Sequence, residues 1–179
     1  MTVRYVAFLR GINVGSRRRI KMDELNAVFG LLGFSEITTL IASGNVVFTS
    51  PDQSETAIIK AIEDGFEAAF GFRVHTMIRT PAEIRAMIDL EPFKGEEVRK
   101  ETRLYLTLLP APTSSTLKLP HVTMDGDCRI LSRTDREVFS VLTLNQGRTS
   151  VDAMAILEKE YGKNVTTRNW NTILKLLKV

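Results

Sequence analysis

Residues 3 to 9, VRYVAFL, carry apolar side chains on both alternating faces, so the strand they form needs cover on two sides and belongs inside a sheet. The next seventy residues narrow the fold further. A loop holding Gly11 and Gly15 leads to Asp23 and Glu24, which place negative charge in a first helical turn. Leu25, Val28, Phe29 and Leu32 then repeat at the three-four spacing of a buried helical stripe, ended by Gly33. Ile37 to Ala42 and Val46 to Thr49 are short runs of high strand propensity, joined by Ser43-Gly44-Asn45, a tripeptide suited to a tight turn with a positive φ. From Ser54, an N-cap, Ile59, Ile62, Phe66, Ala69 and Phe70 mark a second amphipathic helix, and Phe72 to Ile78 returns as a strand. The order βαββαβ over residues 1 to 80 is that of a ferredoxin-like subdomain, with two helices on one face of a four-stranded antiparallel sheet.

Residues 81 to 179 read as a second, smaller α+β subdomain. Thr80-Pro81 is an N-cap followed by proline at the first helical position, and Ile84, Met87 and Ile88 give that helix a buried side. The charged stretch 94 to 102 reads as a solvated connection, and Leu104 to Leu109 as a strand. Pro110, Pro112 and Pro120 fence off TSSTLKL, read as one or two helical turns. Cys128 to Ser132 and Val138 to Leu144 form a hairpin around 133 to 136. Helices follow at 151 to 161, with Met154, Leu157 and Tyr161 on one side, and at 168 to 177, with Thr167 as cap and Trp170, Ile173, Leu174 and Leu177 aligned. In element order this half is expected to echo the first as a βαββα arrangement with C-terminal helices.

Composition excludes several classes of function. The chain has 24 Lys and Arg against 21 Asp and Glu, a formal charge of +3, which is far from the surplus of a protein that coats a polyanion over its whole surface. Its one cysteine, Cys128, cannot form an internal disulfide, and with only His75 and His121 besides there are too few soft ligands for structural zinc. No stretch approaches the roughly 20 apolar residues that span a bilayer, and Arg4 and Arg10 interrupt the N-terminal apolar run. A cytoplasmic protein with no membrane partner is expected.

The even balance of charge conceals a segregation. Between Arg10 and Lys21 there are five basic side chains (Arg10, Arg17, Arg18, Arg19 and Lys21) and no acid. Residues 22 to 72 hold eight acids and only Lys60 as a base. The basic segment, RGINVGSRRRIKM, is punctuated by Gly11 and Gly15 and leads into a helix N-terminus, a setting in which backbone amides, helix dipole and guanidinium groups all favour phosphate. Its spacing is neither that of a Walker loop nor the G-x-G-x-x-G of dinucleotide binders. In the expected topology the first two strands run parallel, so the loop after the first and the Ser43-Gly44-Asn45 turn after the second lie at one end of the sheet. Arg10, Asn13, Ser43 and Asn45 then share a polar edge. A third segment, Thr166 to Thr172, places Trp170 on a buried stripe but leaves Arg168, Asn169 and Asn171 to present donors elsewhere.

These segments carry a resemblance. FLRGINVG (8 to 15) with Lys21-Met22, IASGNVVF (41 to 48), REVF (136 to 139) and TTRNWNTILKL (166 to 176) resemble, in the same order, the signature blocks of the bacterial family of domain of unknown function 1697. The resemblance implies an α+β protein of two small subdomains, the first ferredoxin-like, and it supplies no reaction. One block departs from the family pattern: where a Ser-Lys pair follows a Gly-Arg, this chain reads Gly147-Arg148-Thr149-Ser150, so a role that depends on that lysine is not carried over.

Other chemistry is weaker. Asp125-Gly126-Asp127 has the start of a calcium loop without its later ligands, and reads as a turn. His75 and His121 have no nucleophile in a G-x-S-x-G context. Alternation puts Tyr5 and Phe8 on opposite faces, unlike the base-stacking pair of an RNA-recognition sheet. The first reading is therefore a protein that binds a phosphorylated small molecule or nucleic acid through the basic loop, with no metal or cofactor implied. The alternatives are a metal-independent enzyme whose substrate is oriented at an interdomain cleft by Arg10, Asn13, Asn45, Arg168 and Asn169, and a protein-interaction module.

Overall fold

In the computed structural model, the described residues are 1–13, 19–40, 44–123, 126–144 and 150–179. The chain divides into two compact units, one of Met1–Arg85 with Leu176–Val179 and the other of Ala86–Lys175. Each unit holds one antiparallel sheet, and the whole is α+β.

In the first unit the elements run β1 (Thr2–Leu9), α1 (Met22–Leu31), β2 (Ser35–Leu40), β3 (Asn45–Pro51), α2 (Glu55–Phe70) and β4 (Thr76–Arg79), in the spatial order β2-β3-β1-β4. β1 lies between β3 and β4, antiparallel to both, from Thr2↔Pro51 to Phe8↔Asn45 on one side and from Val6↔Arg79 to Leu9↔Thr76 on the other. This central position is what its unbroken apolar run requires. Tyr5, Ala7 and Leu9 join Leu25, Val28 and Phe29 of α1 and Ile58, Ile62 and Phe66 of α2 in one core, so both helices cover the same face. Phe48 sits at its centre, edge-on to Phe29 with ring centroids 5.2 Å apart and 4.7 Å from Phe34. Val6 and Phe8 alternate to the other face and are buried as well.

Local signals set the ends of these helices. Ser54 caps α2 by accepting from the Ala57 amide at 3.2 Å, and Gly71 closes it in the left-handed region. α3 (Pro81–Asp89) opens on a reciprocal box, in which the Thr80 hydroxyl accepts from the Glu83 amide and the Glu83 carboxylate accepts from the Thr80 amide at 2.7 Å. β4 is shorter than the expected strand at 72 to 78. Gly71 and Phe72 lead out of α2, Val74 packs into the core from irregular chain, and pairing with β1 begins only at Thr76.

The second unit holds β5 (Thr102–Leu108), β6 (His121–Val122), β7 (Cys128–Arg133), β8 (Glu137–Thr143), α4 (Ser150–Tyr161) and β9 (Thr166–Asn169). Its sheet runs β6-β7-β8-β5-β9. Leu157 and Tyr161 of α4 pack with Ile130 and Val138 on one face, while Phe139 on the other meets Phe93 and Trp170 edge-on.

Two expectations fail here. No helix forms within residues 113 to 119, so the second unit does not repeat a βαββα order. Pro110, Pro112 and Pro120 each lack an N–H and push the preceding residue away from helical angles, and the segment runs instead as irregular chain tied to the hairpin by Thr113 N–H to Asp135 O at 3.0 Å. The last helix, α5 (Trp170–Leu176), begins two residues later than expected, because Thr166–Asn169 is an edge strand. Thr167 is not its cap. Its hydroxyl meets that of Thr107 on β5 at 2.7 Å, and Asn169 caps α5 by accepting from the Asn171 amide at 3.0 Å.

Among the described residues no helix is long and apolar enough to cross a membrane.

Candidate functional site

At the C-terminal end of β1 the chain leaves the sheet through two left-handed residues, Gly11 at φ 72° and Asn13 at φ 55°. Glycine and asparagine are the residues that adopt this conformation at least cost. The Asn13 side chain then closes a neck on Ile20. Its Oδ1 accepts from the Ile20 amide at 2.7 Å and its Nδ2 donates to the Ile20 carbonyl at 3.1 Å. Ile12 and Ile20 are both buried. The neck fixes the two ends of a loop whose side chains include the basic run, with Lys21 exposed just beyond it.

The turn between β2 and β3 comes to the same place. The Leu9 amide donates to the Gly44 carbonyl at 2.8 Å, and the Arg10 amide to the His75 carbonyl at 2.9 Å. Gly44 has φ 79°, and a Cβ there would lie 2.8 Å from Cγ1 of Ile12. Glycine is needed for both reasons, conformation and close approach. The first two signature segments are thus joined within one unit, as the parallel course of β1 and β2 requires.

Their individual residues divide by role. Arg10 is half-buried, and Arg19 and Lys21 face solvent. Asn13 serves the neck, while Asn45, fully buried, holds the Leu40 carbonyl through Nδ2 at 3.1 Å. These two amides shape the edge of the sheet. Gly15, Arg17, Arg18 and Ser43 lie outside the described residues, as do Asp125 of the acidic turn and Gly147-Arg148-Thr149 of the late loop. The positive end of α1 is met by the chain's own acids: Asp23 and Glu24 sit in its first turn, and the Glu24 carboxylate accepts from the Lys21 amide at 3.0 Å. The helix terminus is therefore compensated by the chain's own acids.

Arg168 and Asn169 belong to β9 in the second unit, and alternation sends them to opposite faces of its sheet. Arg168 is buried, and its Nη1 donates to Thr166 Oγ1 at 2.8 Å and to the Thr167 carbonyl at 3.0 Å. Loss of hydration lowers its guanidinium pKa to about 10. It is a structural ion of the sheet edge. Asn169 instead lines a pocket with Asn171, Arg99 and Arg103. The sequence carries no spacing signal for the two arginines, which fall in a charged connection and at a strand start; only the register of β5 against β9 marks them. Among the described residues no group of three or more His, Cys, Asp or Glu side chains is placed to hold a metal ion. Cys128 is buried, forms no disulfide and packs beside Leu142.

A family model described as Protein of unknown function (DUF1697) matches residues 1–139. No curated protein matches the chain. Among solved structures, the conserved bacterial protein SP0830 from Streptococcus pneumoniae aligns with a TM-score of 0.68 at 19% identity, covering 99% of this chain and 98% of that one. At that identity the likeness speaks for the fold.

Proposed function

Since the chain belongs to the DUF1697 family of proteins of unknown function, we propose from its own geometry that it binds a phosphate-containing ligand, a small molecule or nucleic acid, at the basic loop of the first unit. The observation that carries this reading is the segregation of charge at one end of one sheet. Five bases and no acid fall between Arg10 and Lys21, three of them in the loop whose neck is fixed by Asn13, and Ile12 at its start packs against Gly44. A loop held at both ends loses less freedom when its side chains gather around an anion, and arginine is the side chain best matched to phosphate oxygens. The protein acts in the cytoplasm, a reading supported by its single, buried cysteine, which forms no disulfide.

The test uses pyrophosphate and a short single-stranded oligonucleotide as probes for the full chain. The logarithm of the binding constant for the oligonucleotide should fall linearly with the logarithm of salt concentration, with a slope of about −0.7 per phosphate neutralised. Substituting Arg17, Arg18 and Arg19 together by Ala should flatten that slope and weaken both probes. Unchanged affinity in the triple variant removes the loop as the site.

A further inference from the structure

The second unit contains a pocket of about 300 Å³ beside the first strand of its sheet, at the small end of the range for ligand sites. Its origin lies in the register. β5 pairs with β8 over its whole length, from Thr102↔Thr143 and Arg103↔Leu142 to Leu108↔Glu137. On the other edge β9 pairs with β5 only as far as Tyr105↔Asn169, after which the chain turns into α5. The edge of β5 at Arg103 is therefore left without a strand, and Asn169 and Asn171 stand across the gap.

The polar lining consists of Arg99, Thr102, Arg103, Asn169 and Asn171, between the apolar side chains of Val98 and Leu104. It contains no carboxylate. The Arg99 guanidinium is already engaged, since Nη2 donates to Glu97 at 2.7 Å. The Arg103 guanidinium is held but not neutralised: its Nη1 donates to the carbonyls of Lys100 at 2.7 Å and Thr102 at 2.9 Å. Those two bonds fix the plane of the head group, and Nη2 and Nε have no protein partner among the described residues. Asn169 spends its Oδ1 on the Asn171 amide, leaving its Nδ2 as a donor. A half-buried, oriented arginine lined with amide donors, two apolar side chains and no acid matches one kind of guest.

We propose that this pocket binds the oxyanion of a small organic molecule, a carboxylate or a phosphate monoester. The free edge of the Arg103 guanidinium takes two oxygens, the Asn169 and Asn171 amides take the third contact or a neighbouring polar group, and the carbon skeleton lies against Val98 and Leu104. All its lining residues belong to the second unit, and it shares none with the basic loop.

Backbone amide spectra of the full chain, recorded during titration with inorganic phosphate and separately with acetate at constant ionic strength, test the assignment. Saturable shifts of the amides of residues 98 to 104 and 169 to 171 are expected with at least one ion, and the ion that saturates tells phosphate from carboxylate. Arg103→Gln should weaken that binding about tenfold. The variant with Arg17, Arg18 and Arg19 changed to Ala should leave it unaltered, so this site and the loop fail or succeed separately. Should Arg103→Gln not fold, Asn171→Ala, an exposed position, should weaken binding several-fold. Non-saturating shifts with both ions, or wild-type affinity in the folded variant, overturn the proposal.

Discussion

β4 and β9 are both four-residue edge strands, each paired antiparallel to a longer strand, and each carries a buried arginine. In both, the guanidinium donates to the carbonyl of the preceding residue, Arg79 to Ile78 at 2.8 Å and Arg168 to Thr167 at 3.0 Å. The means of holding the two strands differ. β4, TMIR, places Ile78 in the core beneath the helices of its unit. β9, TTRN, offers its partner a hydroxyl and a row of backbone groups, and the Thr107–Thr167 bond takes the place of an apolar contact. A short strand is secured by burial or by polar pairing across the ladder, and the two should respond to substitution on different scales.

The largest effect is expected on the apolar side. Ile78→Ala removes a fully buried side chain from the core of the first unit, and losses of about 2–5 kcal/mol accompany such truncations. A denaturant midpoint barely altered from that of the parent chain would show that β4 is held by its backbone alone, and would erase the contrast with β9.

A smaller effect is expected across the β5–β9 ladder. Thr167→Val keeps the shape and β propensity of the side chain but leaves the buried Thr107 hydroxyl without its partner, at a cost of about 1–3 kcal/mol. The double variant Thr107→Val with Thr167→Val should be less destabilised than the sum of the single changes, since it leaves no orphaned hydroxyl. Strict additivity in denaturation experiments would mean that the bond does not hold β9.

The same contrast explains what the sequence discloses. The first unit is legible because its signals are apolar and periodic: Leu25, Val28 and Phe29 on one helix, Ile58, Ile62 and Phe66 on the next, and an unbroken run on β1. Element order comes from them, as does the meeting of the β1 loop with the Gly44 turn. β9 is hidden because Thr-Thr before a tryptophan also has the look of a helix cap, and what rules that out is Thr107, sixty residues away. The 113 to 119 segment has a composition that allows helical turns, whereas its flanking prolines argue for irregular chain. Of the candidate site, the basic loop and its glycine turn are visible, because charge and positive-φ residues are local properties. The structural work of Asn13 and Asn45 and the pocket at Arg103 are not, since each depends on which strand stops where.

The smallest effect concerns how each edge strand is entered. The chain reaches β4 through Arg73, which lies 3.1 Å from Asp64, 3.7 Å from Glu63 and 3.8 Å from Glu67 on α2, while Glu63 accepts from the Thr76 amide at 2.9 Å. Asp64 also pairs with Lys60 one turn earlier. The hydrogen bond from Lys60, followed by the positive charges of Lys60 and Arg73, holds the Asp64 carboxyl below its ordinary value. A carboxylate lowered in the folded state stabilises it above the ordinary carboxylate range, and that contribution disappears as pH falls through the lowered value. Lys60, Asp64 and Arg73 are exposed to water, so the effect should be read as a titration and not as a denaturation midpoint. In carboxyl-detected NMR, Asp64 should titrate below a reference aspartate, and added salt or Lys60→Met should bring it back toward the ordinary value. If Asp64 titrates normally in the parent chain, the ion pairs at this helix end do not guide the chain into β4, and the two edge strands differ only in how they pair.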